Sequence, residues 1–240
     1  MISKNELKYI QSLCQKKQRA AEGVFIAEGP KLAEELLASN YKIIRGYATA
    51  SWLAENKTSK GFTEVTEIEL EKMTGMQTAN QVILIVEQKI QKTVPDLSKK
   101  LSLVLDGIQD PGNLGTIIRI ADWFGITQII ASEDTVDLYN PKVVQSTMGS
   151  FIRVSVYYTD IVAFLNATKL PVFGAMLEGK SMYDLQKPAT GLLVIGNESK
   201  GIREPIQPLI KQAITIPRFG GAESLNAAVA TGILVSHMKG

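Results

Sequence analysis

Six short runs in the second half of the chain are apolar almost without interruption: LSLVLD, TQIIAS, RVSVYY, PVFGAM, GLLVIG and AITIP. A strand of this kind needs cover on both faces, which a mainly parallel sheet flanked by helices provides. Helix-like or mixed segments separate the runs, and the closing SLNAAVATGILVSHMK reads as an alanine-rich helix. Upstream lies a smaller α/β unit. SKNELKYIQSLCQKK opens on a serine suited to capping and carries Leu7, Ile10 and Leu13 on one face. VFIAEG, IIRGYAT and QVILIVE read as strands, and PKLAEELLAS as a helix with proline in its first turn. Between these parts QKIQKTVPDLSKK is polar, basic and broken by proline. The expected division is residues 1–88, a linker over 89–100, and a larger domain over 101–240, with no internal repeat.

Composition narrows the chemistry. With 240 residues, 45% hydrophobic and 21% charged, the chain has the makings of a sizeable core. Its net charge of +2 does not by itself demand a polyanionic partner. A single cysteine, Cys14, and a single histidine, His237, leave too few ligands for a disulfide framework or a zinc site, so no metal is expected. No stretch has the apolar length of a signal peptide or membrane span, so the expected location is the cytoplasm.

In open α/β sheets ligands sit beyond the carboxyl ends of the strands, so the residues that follow the runs matter most. Three such junctions are polar and glycine-rich. In DGIQDPGNLGTIIRIADWFG, Leu114, Ile117, Ile118, Ala121 and Phe124 form one apolar stripe, with Arg119 nearly opposite, beside Ile120 and Trp123. Asp110-Pro111 and Asn113 are rival helix starts. Arg119 either pairs with Asp122 at i,i+3 or, with Asn113, faces an oxyanion that its planar fork would suit. GLLVIGNESKGI runs a buried strand into Gly196-Asn197-Glu198-Ser199-Lys200-Gly201. It is a tight turn with a solvated glutamate, or a place where backbone approaches a ligand. Asn197-Glu198 stand where a phosphate loop needs Lys-Ser/Thr, so it is not a triphosphate site. In IPRFGGAESLNAAVATGILV either Ser224 or Asn226 caps the last helix, which explains one of the two but not both.

Taken in order, N-L-G-x-x-x-R, V-I-G-N-E-x-x-G and I-P-x-x-x-x-x-E-S-L-N resemble the motifs of the SpoU (TrmH-like) RNA 2′-O-ribose methyltransferases of the SPOUT superfamily. The likeness covers about residues 101–240 and extends to the N-terminal part, which is similar to the family's small substrate-binding domain. It implies an α/β catalytic domain with a deep trefoil knot, an S-adenosylmethionine pocket in that knot, and a homodimer. Chains generally avoid knots, so this feature comes from the motifs alone. Carried over residue by residue, Gly196, Ile216 and Leu225 would offer backbone groups to the cofactor. Glu198, Gly201, Asn226 and Ala228 would shape the pocket, and Leu177 would wall it. Asn113, Arg119, Glu198, Ser224 and Asn226 would surround the transferred methyl and the target ribose. The second apolar face of the Arg119 helix, Ile120 and Trp123, would meet the partner subunit. Arg218 and Phe219 depart from the uncharged pattern usual after Ile-Pro, which could tune RNA contact.

RNA, ribosomal before transfer, is the expected partner, and Lys16, Lys17 and Arg19 are expected to join Arg119 in holding it, unless they form a merely solvated face. No G-x-G-x-x-G follows a strand, which sets aside a NAD- or FAD-binding enzyme. A catalytically inactive RNA-binding relative is the alternative.

Overall fold

The computed structural model describes residues 2–57, 61–76, 78, 80–98 and 100–239. In chain order its first elements are α1 (Lys4–Ser12), α2 (Lys16–Glu22), β1 (Val24–Glu28), α3 (Pro30–Leu37), β2 (Ile43–Ala48), α4 (Ala50–Glu55), β3 (Phe62–Glu64), α5 (Glu67–Met73) and β4 (Val82–Glu87). They continue with β5 (Leu101–Asp106), α6 (Pro111–Trp123), β6 (Gln128–Ser132), α7 (Pro141–Ser146), β7 (Ser155–Thr159), α8 (Ile161–Ala167), β8 (Val172–Ser181), β9 (Gly191–Gly196), β10 (Gln212–Thr215) and α9 (Ala227–Lys239). Two compact units result, Met1–Lys89 with Asp137–Ile152, and Ile90–Val136 with Arg153–Gly240. Residue 99 of the expected linker lies outside the described residues.

In the first unit four strands pair in the order β1-β4-β2-β3, antiparallel except for β2 with β3. Ile10, Leu13, Val24, Ile26, Ile83 and Ile85 belong to one buried cluster on this sheet. The expected first helix is interrupted. Ser3 caps α1, accepting from the Glu6 amide at 3.2 Å, but the helix stops at Leu13 and α2 begins at Lys16. The break lets Leu13 and Arg19 both turn inward.

Residues 137–152 cluster with this unit and not with the residues on either side of them in the chain. Apolar and ionic groups explain why. Tyr139 stacks on Phe25 with ring centroids 4.5 Å apart, and Phe151 meets the same ring edge-on at 5.6 Å. Asp137 Oδ2 takes Nη2 of Arg19 at 2.6 Å and its Nε at 3.2 Å.

The second unit is a six-stranded sheet in the order β10-β8-β9-β5-β6-β7, every pair parallel. All six expected runs are strands in it. The central two, β9 and β5, are covered on both faces: Leu103, Val104, Leu105, Leu192, Leu193 and Val194 are fully buried. β8 outlasts the expected PVFGAM because its pairing breaks and resumes. Ala213 of β10 pairs with Gly174, but the next residue, Ile214, pairs with Lys180, so residues 175–179 loop out between them. Gly179 allows the chain to return, since a Cβ there would lie 2.7 Å from the Ala213 backbone. α9 packs on α6, with Ile120 lying over Gly232 where a Cβ would come within 3.5 Å.

Candidate active site

At the carboxyl edge of the parallel sheet three stretches far apart in sequence meet through side-chain amides. The start of α6 makes this possible. Asp110, not Asn113, is its cap: Asp110 Oδ1 accepts from the Asn113 amide at 2.8 Å, and Pro111 takes the first helical position where no N–H is missed. The Asn113 side chain is thereby free. Its Nδ2 donates to Glu198 Oε1 at 2.5 Å, and its Oδ1 accepts from Asn226 Nδ2 at 2.7 Å. Asn226 in turn caps α9, with Oδ1 accepting from the amides of Ala228 at 3.0 Å and Val229 at 3.2 Å.

The direction of this chain follows from its ends. Helix N–H groups can only donate and a carboxylate can only accept, so the two amides between them have a single consistent orientation. The partial positive charge of the α9 N-terminus and the Glu198 carboxylate are thus joined through two ordered amides. Ser224 takes no part in the cap and is exposed.

The turn bearing Glu198 is held independently. Asn197 Nδ2 donates to the Gly107 carbonyl at 2.7 Å, while Asn197 Oδ1 accepts from the Ser199 amide at 2.9 Å and the Lys200 amide at 3.3 Å. Backbone bonds between Asn197 and Gly201 close the turn. Gly201 has φ 66°, which favours glycine, and a Cβ on Gly196 would lie 2.3 Å from the Gly201 carbonyl carbon, so position 196 excludes a side chain. A further brace was not among the sequence expectations. Asp106, buried at the end of β5, accepts from the Arg203 amide at 2.8 Å and from its Nε at 2.5 Å. A carboxylate closing an otherwise apolar run was the available signal, because a charge so placed must find a partner. Arg203 also reaches Asp134 at 3.4 Å, and Asp134 titrates below the usual carboxylate range through a Ser132 hydrogen bond and the nearby guanidinium.

Of the expected cofactor residues, Gly196 precedes Glu198 by two positions, and Leu225 and Ala228 flank Asn226 in the chain. Thr215 Oγ1 donates to the Leu177 carbonyl at 2.9 Å, which ties the 175–179 loop to the end of β10 just before Ile216. Leu177 and Leu225 expose their side chains, Ile216 is half-buried, and Ala228 is buried at the start of α9.

The arginines divide sharply. Arg119 is exposed on α6, and among the described residues its side chain makes no hydrogen bond or ion pair. Pairing with Asp122 does not occur, because that carboxylate takes Nε and Nη2 of Arg153 at 2.9 and 2.8 Å. Arg119 is not joined to the Asn113–Glu198–Asn226 chain by any contact within the chain, being about 9 Å further along the helix. Arg19 corrects the expected RNA-binding set. It is 1% exposed and gives its protons to Asp137 and to the carbonyls of Leu13 at 3.0 Å and Cys14 at 2.8 Å, so it has no surface to offer. Lys16 and Lys17 remain exposed. Ile120 likewise is half-buried over Gly232 of its own chain, whereas Trp123 stays 84% exposed.

Fold and cluster together define a two-unit α/β protein whose polar centre lies at the carboxyl ends of parallel strands. Residues 100–236 match the SpoU rRNA Methylase family, and residues 4–84 match the MRM3-like substrate binding domain. The chain belongs to the SpoU rRNA methylase family. It is similar to the 23S rRNA (guanosine(2553)-2′-O)-methyltransferase RlmP of Bacillus subtilis, 29% identical over 94% of this chain and 92% of that one. Among solved structures it resembles a putative RNA methyltransferase of the TrmH family from Porphyromonas gingivalis, 35% identical with TM-score 0.87, covering 100% of this chain and 98% of that one. An AdoMet-bound rRNA methyltransferase from Sinorhizobium meliloti is 29% identical with TM-score 0.86, over 99% and 96% of the two chains.

Proposed function

We propose that this protein transfers a methyl group from S-adenosylmethionine to a ribose 2′-hydroxyl of ribosomal RNA. The observation that carries the reading is the hydrogen-bonded series Asn226–Asn113–Glu198, which unites the three motif segments of the family. The residues fit the donor. Leu177, Ile216 and Leu225 supply apolar walls for an adenine and a methionine chain, and the Glu198 carboxylate is the group suited to lie near a sulfonium. When bound, the donor supplies a methyl on an excellent leaving group, and no metal is required.

What the chain must add is alignment, the 2′-hydroxyl proton passing to water as the oxygen takes the methyl and S-adenosylhomocysteine leaves. Gly196, Ile216 and Leu225 hold the donor through their backbones, with Gly201 and Ala228 bracing the pocket. Asn113, Glu198, Ser224 and Asn226 orient the ribose oxygen toward the methyl carbon. Arg119, a permanent cation without a partner among the described residues, clamps the adjoining phosphate and stabilises the negative charge developing on the 2′-oxygen. A guanidinium gives up its proton with great difficulty, so the clamp is the easier role than general base.

Two subunits complete the site in this reading. Trp123 is 84% and Val229 51% exposed, on α6 and α9, elements that pack together. Burying each large side chain against a second copy is worth roughly 1.5–3 kcal/mol. The N-terminal unit, residues 1–88, holds RNA with Lys16 and Lys17, the linker spans 89–100, the trefoil knot of the family forms within 101–240, and the protein works in the cytoplasm where its substrate is made.

Arg119→Ala tests the assignment. It should lower methyl transfer at least a hundredfold while leaving S-adenosylmethionine affinity, melting temperature and oligomeric state unchanged. Loss of donor binding or of the fold would assign the arginine a structural role instead.

A further inference from the structure

Phe219 is 94% exposed, the most exposed large apolar side chain among the described residues. It sits in the loop that joins the two halves of the last motif, after Ile216-Pro217 and before Leu225-Asn226. Residues 218–226 are all exposed, and nothing lies within 4 Å of where a Cβ would project from Gly220 or Gly221. The loop is nevertheless shaped. Arg218 Nη1 donates to the Ala222 carbonyl at 3.3 Å, closing a turn with Phe219 near its tip. Both ends of the loop are anchored: at one, Thr215 bonds the Leu177 carbonyl, and at the other Asn226 bonds Asn113. The ring therefore stands exposed on a loop whose far end, Asn226, enters the polar centre.

Three occupants suit an exposed ring: a nucleobase, the donor's adenine, or a second subunit. The neighbouring charge favours the first. Arg218 keeps guanidinium donors beyond the one given to Ala222, and an aromatic face beside a cation is the pairing that reads unpaired RNA, stacking on the base while the cation meets the phosphate. The Trp123–Val229 surface proposed for the subunit contact belongs to α6 and α9, not to this loop.

We propose that Phe219 stacks on an unpaired base of the RNA next to the methylated nucleotide, with Arg218 shaping the turn and meeting the backbone phosphate. Phe219 is thus a substrate-positioning residue. The proposal rests on the methyltransferase reading but is tested apart from it. Deproteinised ribosomal RNA is the probe, and its binding by the full-length protein is measured by filter retention, separately from methyl transfer.

Phe219→Ala should weaken RNA binding about tenfold or more and raise the apparent KM for RNA in proportion. Phe219→Trp should restore both, and Phe219→Leu should not. Affinity for S-adenosylmethionine and the sedimentation coefficient should not move. Unchanged RNA binding in the alanine variant, or full rescue by leucine, overturns the proposal. So does weaker donor binding, which would make the ring a cofactor cover, or a smaller sedimenting species, which would make it a subunit contact. Wild-type protein that binds RNA yet transfers no methyl would count against the methyltransferase reading alone.

Discussion

Two arginines that look alike in sequence have opposite fates. Arg19 sits in a run with Lys16 and Lys17 that reads as a basic patch, yet it is buried and fully engaged. Its partner, Asp137, lies 118 positions away, and no local pattern could announce such a pairing. Arg119 was legible because it broke the pattern of its helix: a cation opposite the apolar stripe, with Leu114, Ile117, Ile118 and Ala121 buried as the spacing requires. The consequences differ accordingly. Arg19→Ala strands two carbonyls and the half-buried Asp137; removal of one partner of a fully buried pair costs about 3–5 kcal/mol, and the loss here should fall below that range. Chemical unfolding should show that loss, with Arg19→Lys milder; a variant as stable as wild type would mean that Asp137 is solvated without its partner. Asn113→Ala removes the middle of the hydrogen-bonded series and should reduce transfer more than it reduces stability, read by comparing kcat with the melting temperature.

At the level of elements, the apolar runs were legible because strands buried on both faces have few polar positions to confuse the pattern. Three short elements were not: α4, β3 and α5 carry little periodicity. α5 had a findable signal, since Thr66 and Glu69 form a reciprocal capping box. The extension of β8 past PVFGAM and its break in pairing were hidden because register is a property of the pair, visible only once β10 is placed beside it. Between α6 and α9, Gly232 could be read as thinness but not as the seat of Ile120. Trp123, left outside that contact, provides the test at this scale. In the proposed dimer, Trp123→Asp should leave a monomer in sedimentation and lower methyl transfer with it. A wild-type monomer, or a fully active monomeric variant, would remove the second subunit from the mechanism.

For the molecule as a whole, the sequence suggested contiguous parts, while the structure groups residues 137–152 with the N-terminal unit. Chain order cannot reveal this, because the attachment depends on Tyr139 and Phe151 finding Phe25. The site was more legible than the fold's connections. Asn113, Glu198 and Asn226 do meet, whereas the Asp106–Arg203 brace that steadies the Glu198 turn had to be seen. No helix among the described residues is long and apolar enough to cross a membrane, and no cluster of His, Cys, Asp or Glu among them could hold a metal ion. In the proposed reaction these segments converge on one methyl donor and act on ribose. Its most direct measurement is transfer of an isotope-labelled methyl group from S-adenosylmethionine to unmodified ribosomal RNA, followed by digestion to nucleosides and mass spectrometry. The label should reside in a single 2′-O-methylribose nucleoside, and Asn113→Ala and Arg119→Ala should abolish it. Label on a base, or none from a protein that binds both donor and RNA, would contradict the account.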